Sequence, residues 1–328
     1  MSIKRRQFVF AACGLIGLPA LTGAQQAKRL ARIGWLGLRE EGRASLPSIP
    51  LEGLRAGLRE RGWAEGENLV IEVRNGNFAN APELASQLVG SNVELIVAEG
   101  GMIFRVLTVA GAMPLLFHVN GDPVEAKLVA SYARPGGNRT GVTNLSESLS
   151  AKRVELLREA TPHMTRFAAI ANQGHPGWPV ELNATQAAAK QLGLNMEWLP
   201  VHSVPDVASA LESVARSSAQ GIVAIPDNLI LNQAKTIAAF ATKLGIPAIS
   251  GWAEFAEAGN LMSYGPVLRD VYVKLATYAD KLLRGAKPSD LPVENPTHFE
   301  LVINLNTATA LKLKVPQSLL IRANRTIE

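Results

Sequence analysis

Along most of the chain, short apolar runs rich in β-branched residues alternate with stretches whose apolar positions recur every three to four residues. The first series of runs covers 33–37, 69–73, 95–98 and 114–119; the second covers 167–171, 195–199, 221–225 and 248–250. Runs of this length read as strands buried on both faces, and their alternation with helical patterns implies parallel βαβ units. Four such units fall in each half. The expected fold class is therefore α/β, with two Rossmann-like lobes built on parallel sheets.

Several helix boundaries are readable. Asn80-Ala81-Pro82-Glu83 resembles a capping box with Pro in the first turn, ahead of Leu84 and Leu88 on one face. Asp206 can cap a helix whose apolar stripe is Val207, Ala210, Leu211 and Val214. Asp270 can open a helix over 271–283, which Arg284-Gly285 ends with Pro288 beyond. Between the halves, the Gly- and Pro-rich segment 134–144 interrupts any helix, and its second part reads as a strand crossing from one lobe to the other. The run 299–304, after the Pro-rich segment 288–296, suggests a second crossing. The expected division is 25–141 with 266–296 as lobe 1, and 142–265 with 297–328 as lobe 2. Lobes joined by several strands form a hinged cleft, with ligands beyond the carboxyl ends of the strands.

Composition adds an address. The 328 residues are 47% hydrophobic and 19% charged, which excludes disordered and collagen-like classes. No acidic residue precedes Glu40, while Lys4, Arg5 and Arg6 open the chain ahead of the uncharged run 8–21 and the small residues Thr22-Gly23-Ala24. A basic start, a short apolar run and small residues before a cut are the marks of a secretory signal peptide, here 1–24 with cleavage near Ala24. Arg5-Arg6-Gln7-Phe8-Val9 also resembles the twin-arginine pattern, so either export route fits. Removal of these three basic residues from 33 Lys+Arg leaves 30 against 28 Asp+Glu, which lowers the net charge from +5 to +2 and takes away the support for nucleic-acid binding. Cys13 lies in the removed segment, so the mature chain has no disulfide, thiolate metal site or cysteine nucleophile.

The chain also resembles a known family. The carriers are Lys4-Arg5-Arg6-Gln7-Phe8, Ile33-Gly34-Trp35-Leu36, the segment 53–63, Glu65-Gly66-Glu67-Asn68, Asp122-Pro123-Val124 and the segment 133–141, followed by Lys152-Arg153-Val154-Glu155-Leu156-Leu157, Ser263-Tyr264-Gly265, Arg284-Gly285-Ala286-Lys287-Pro288 and 299–304. In order and over nearly the whole chain, they resemble ABC-transporter substrate-binding proteins of the tryptophan/tyrosine type. The resemblance implies a type I periplasmic-binding fold with a multi-strand hinge, capture of a small solute such as an amino acid or related compound, and delivery to an inner-membrane permease powered by an ATPase on other chains. A periplasmic monomer without enzyme activity, cofactor or nucleic-acid partner is expected. After the third strand the family often has a small residue, then Gly-Thr and alanines. Here the run is Glu99-Gly100-Gly101-Met102-Ile103-Phe104, a departure at one pocket loop.

Candidate contacts follow strand ends. In the first half, Arg39 could pair a carboxylate. Glu99 could receive an ammonium group while Gly100 and Gly101 let a ligand approach the backbone. Asp122 could bond a ligand or cap the next helix, and Thr140 could line the crossover. In the second half, Asn172 and the pair Asp227-Asn228 follow strand ends. An Asp227 carboxylate can bind an amino or hydroxyl group, or cap the helix starting near Leu229. Trp252 and Tyr264 could offer flat apolar faces or serve as core aromatics; Trp35, inside its strand, reads as core. The five histidines lack any metal-ligand spacing, and neither a P-loop nor a G-x-S-x-G elbow occurs. The expected role is solute import; a ligand sensor presenting its closed form to a membrane receptor is the alternative.

Overall fold

The computed structural model describes residues 29–38, 49–144, 146–175 and 177–328. The export segment with Cys13 and the candidate Arg39 lie outside the described residues.

The first half builds β1 (Ala31–Leu38), α1 (Ile49–Glu60), β2 (Leu69–Gly76), α2 (Ala81–Gly90), β3 (Leu95–Glu99), α3 (Met102–Val106), β4 (Leu115–Asn120) and β5 (Arg139–Asn144). The second continues with α4 (Ser146–Ala160), β6 (Arg166–Asn172), α5 (Trp178–Gln191), β7 (Asn195–Val201), α6 (Val204–Arg216), β8 (Ile222–Ala224), α7 (Asn228–Asn232), α8 (Ala234–Leu244), β9 (Ala248–Ser250) and α9 (Ala253–Glu257). The chain closes with β10 (Met262–Pro266), α10 (Leu268–Leu283), β11 (Phe299–Asn304), α11 (Leu305–Ala310), α12 (Gln317–Arg322) and β12 (Arg325–Ile327).

Two sheets result. The first has the order β2-β1-β3-β4-β5, with every pairing parallel. The second has the order β12-β11-β10-β9-β8-β6-β7, in which only the β10–β11 pairing is antiparallel. Apolar clusters cover both faces of each sheet, which is why the central strands carry unbroken apolar runs such as Leu95-Ile96-Val97-Ala98. The α/β class with two mostly parallel sheets is as expected from the pattern of the chain.

After β10 the chain leaves the second sheet, and α10 packs along α1 beside the first. Leu54 and Leu58 of α1 meet Tyr272, Leu275, Ala276 and Ala279 of α10 in one cluster. Gly57 makes the approach possible, because a Cβ there would sit 2.6 Å from the Ala276 Cβ. The chain returns through β11, and an isolated parallel bridge ties Val142 to Glu294 on the way.

Three local readings need correction. Asn80 does not cap α2 with its side chain; its Oδ1 accepts the Asn77 amide instead, tightening the preceding turn. The cap of α6 is Ser203, whose Oγ accepts the Asp206 amide, while the Asp206 carboxylate reaches back to the His202 amide in a reciprocal box. Asp270 lies inside the first turn of α10, which starts at Leu268. The end of that helix is as read, with Gly285 at φ +95° just past it.

Candidate functional site

In both sheets the strand order reverses beside a central strand, between β1 and β3 in the first and between β6 and β8 in the second. At such a switch point the loops on the carboxyl side diverge and leave a crevice. The two crevices face each other. Gly100 and Gly101 after β3, with His118, Val119 and Asn120 at the end of β4, form one wall. His175 after β6, Asp227 and Asn228 after β8, and Trp252 after β9 form the other.

The walls touch. Asn120 Nδ2 donates to the Pro226 carbonyl at 2.7 Å, and Asn228 Nδ2 donates to Glu99 Oε1 at 3.1 Å. Trp252, 4% exposed, packs into the first-sheet cluster with Leu268, Val271 and Tyr272. The cavity left between the walls is about 20 Å³, room for one water, so any larger solute enters only when they part. This is a closed cleft.

Each wall is stiffened from behind. On the first, Asn144 Nδ2 lies 2.9 Å from His118 Nε2 and donates to Asn120 Oδ1 at 2.7 Å, which orients Asn120 for its bond across the cleft. Burial pushes the His118 pKa down to about 4, opposed weakly by the Asn144 contact, so this ring is neutral at pH 7. Glu99 Oε2 accepts the Leu38 amide. On the second wall, Asp227 caps α7, its Oδ1 accepting the Leu229 amide at 2.7 Å and Asn172 Nδ2 at 3.0 Å. His175 Nδ1 accepts the Gly177 amide at 2.7 Å, and its Nε2 lies 2.9 Å from Glu181 Oε2 without pointing in line at it. Burial acts to lower the His175 pKa; the Glu181 carboxylate and, more weakly, Asp227 outweigh it and raise the value above normal. Behind Glu181 lies Arg153, also fully buried, with Nε donating to the Tyr264 carbonyl. Burial takes the Arg153 pKa down to about 10 against the opposing pull of Glu181.

Of the residues named from sequence, Gly100, Gly101, Asp227, Asn228 and Trp252 line the cavity. Glu99 and Asn172 stand one hydrogen bond behind it. Three are engaged elsewhere. Asp122 Oδ1 accepts the Val124 and Glu125 amides, so it serves a turn. Thr140, fully buried, donates to the Leu291 carbonyl. Tyr264 packs on the second-sheet core, contributing its carbonyl to Arg153. Trp35 is core, as read. Sequence reasoning passed over His118, Asn120 and the His175–Glu181–Arg153 group. The available signal was a polar pair, His118 and Asn120, closing an otherwise apolar strand.

Comparison with known proteins decides what this cleft belongs to. A family model described as ABC transporter substrate binding protein matches residues 46–327. The chain belongs to this family. A tyrosine-binding protein of Clostridioides difficile is 25% identical over 322 residues, covering 92% of this chain and 90% of the relative. A conserved domain protein from Vibrio cholerae superposes with a TM-score of 0.83 at 28% identity, and a Streptococcus pneumonia ABC domain in complex with L-Trp with 0.81 at 27%. Each covers 91% of this chain and 100% of the other. The fold is the type I periplasmic-binding fold, and this substrate-binding protein is not an enzyme. Both buried histidines line the cavity between the walls.

Proposed function

We propose that this chain is the extracytoplasmic solute-binding component of an ABC import system. It captures an amino acid or related small compound between its lobes and delivers it to a membrane permease, after export to the periplasm directed by residues 1–24. The observation that carries this reading is the pair of side-chain bonds across the cleft, Asn120 to Pro226 and Asn228 to Glu99, at the switch points of both sheets. A ligand that bridges the same walls stabilises the closed form, and a partner that recognises closure reads out occupancy. Relatives described as tyrosine-binding and as complexed with L-Trp favour amino acids. Asp227 suits a ligand ammonium group: Oδ1 is held by Leu229 and Asn172, and among the described residues no hydrogen bond takes Oδ2.

The test is a thermal-shift screen over aromatic and branched amino acids, purines and small carboxylic acids, followed by calorimetric titration of any hit. A true ligand raises the melting temperature by linkage. Asp227→Ala then weakens the hit at least about tenfold, equivalent to about 1.4 kcal/mol. An unchanged titration by the folded variant removes Asp227 from the contact set, and a screen without hits across all classes counts against the reading as a whole.

A further inference from the structure

Between the cleft and the core of the second sheet lies a chain of contacts that the binding reading leaves unused. It starts at Glu181 on α5, whose side chain is fully buried and holds no hydrogen bond among the described residues. It passes through His175, 5% exposed, whose Nε2 lies 2.9 Å from Glu181 Oε2 and whose Nδ1 accepts the Gly177 amide. It ends at Gly177, which lies against the opposite lobe. A Cβ on Gly177 would sit 2.6 Å from the Asn120 carbonyl oxygen, and one on Gly121 would sit 2.8 Å from the Gly177 Cα. Backbone meets backbone there, next to the Asn120 side chain that bonds Pro226.

We propose that Glu181 and His175 are positioning residues for closure: Glu181 keeps the ring proton on Nε2, so that Nδ1 can hold the Gly177 loop against Asn120 and Gly121 of the opposite wall. The proposal rests on the binding-protein reading and goes beyond it by assigning the closed state a support other than ligand. The physical argument is one of tautomers. The negative charge of a carboxylate oxygen 2.9 Å from Nε2 favours the proton on that nearer nitrogen, which leaves the other nitrogen as the acceptor the Gly177 amide requires. With a neutral partner in place of Glu181, that preference disappears, and a proton on Nδ1 would oppose the Gly177 N–H.

A second consequence concerns pH. The ring can gain a second proton only at Nδ1, and only by giving up the Gly177 amide. The charged groups around it are Glu181 from α5, Asp227 from the loop after β8, His118 across the cleft from the end of β4, and Arg153 from α4 beyond Glu181. The two carboxylates shift that second protonation to higher pH than for an ordinary imidazole. Acidification therefore loosens the Gly177 contact and shifts the cleft toward the open form.

The experiment needs no solute. Nitrogen-15 NMR of the full chain reports the tautomer of His175, and distance measurements between spin labels on Glu125→Cys and Asn183→Cys, in a Cys13→Ser background, report closure. The wild-type ring is expected to be unprotonated at Nδ1 and protonated at Nε2 near pH 8, with a short-distance population that declines by roughly threefold or more as the ring charges. In Glu181→Gln the decline shifts to lower pH and the short-distance population at neutral pH falls; Glu181→Asp, keeping the charge, restores part of it. A ring protonated at Nδ1 near pH 8 overturns the proposal, as does a wild-type chain that is open at every pH. So does a folded Glu181→Gln with wild-type distances and midpoint. If that variant does not fold, the wild-type tautomer and titration decide alone. Failure of the solute screen, by contrast, bears only on the binding reading.

Discussion

The two walls of the cleft each bury one histidine, and the two are treated in opposite ways. His118, on the first lobe, faces the Asn144 amide and, across the cleft, His175, and burial dominates; its pKa falls to about 4. His175, on the second, is buried as deeply but lies against a carboxylate, and its pKa rises. Equal burial yields opposite charge preference because the neighbour decides, not the depth. The surroundings of His118 are thus side-chain amides, whereas behind His175 the second wall carries the ionisable Glu181 and Arg153, with Asp227 at the cleft.

Breaking the charged side has the largest expected effect. Arg153→Leu removes the buried cation whose charge opposes the Glu181 carboxylate, and a buried charge left without compensation typically costs about 3–5 kcal/mol. Urea unfolding at pH 7 measures it. The double variant Arg153→Leu with Glu181→Leu should recover most of the loss, since two apolar groups need no compensation. If the double variant is as unstable as the single, packing of the Arg153 stem, and not charge, is what the second wall depends on.

A smaller effect separates the histidines by pH. The native His118 pKa of about 4 lies below the unfolded value near 6.5, so between these limits the unfolded chain binds the extra proton. Its contribution is complete above about pH 6.5 and is lost as pH falls toward 4, a change of about 3 kcal/mol for a shift of this size. His175 has the opposite sign: its raised pKa gives a contribution present below about pH 6.5 and lost as pH rises through the higher native value. Unfolding free energies at several pH values, compared between wild type and His118→Gln, isolate the first term. Identical slopes below pH 6.5 in the two proteins would mean that His118 is charged, or solvated, in the folded chain.

Why the charged wall was hard to read in the sequence follows from the same contrast. Strands, order and the αL exit of α10 are local or periodic signals, and the apolar runs and Gly285 carry them. Asp227, Asn228 and Trp252 were legible because cleft residues follow strand ends. Glu181 and Arg153 sit inside helices, where a charge ordinarily means a solvated face. Only the packing of α4 on α5 turns both inward. Thr140 and Tyr264 show the converse: their positions suit a cleft, but Thr140 bonds the Leu291 carbonyl and Tyr264 packs on the apolar cluster under β10. Strand β12 is short and largely exposed, so no apolar run marks it.

The smallest expected difference between the lobes lies at two helix starts that look alike in sequence. On the second lobe, α6 is capped by Ser203, with Asp206 returning a bond to the His202 amide. On the first, Asn80 precedes α2 with helical backbone angles, φ −93° and ψ −2°, which place its side chain beside the Asn77 amide and away from the free N–H groups of the helix. An N-cap needs extended backbone to turn its oxygen back over the first turn; Ser203 has it, at φ −149° and ψ 169°. Ser203→Ala should therefore cost about 1 kcal/mol, the usual value for a lost cap, without changing the cleft. Ser203→Asp should retain most of the stability, because a carboxylate caps as well and also suits the positive end of the helix. For Asn80→Asp no such equivalence holds, since its oxygen serves a single turn amide. If urea midpoints show Ser203→Asp to be as destabilised as Ser203→Ala, the bond from the Asp206 amide is not what holds the start of α6.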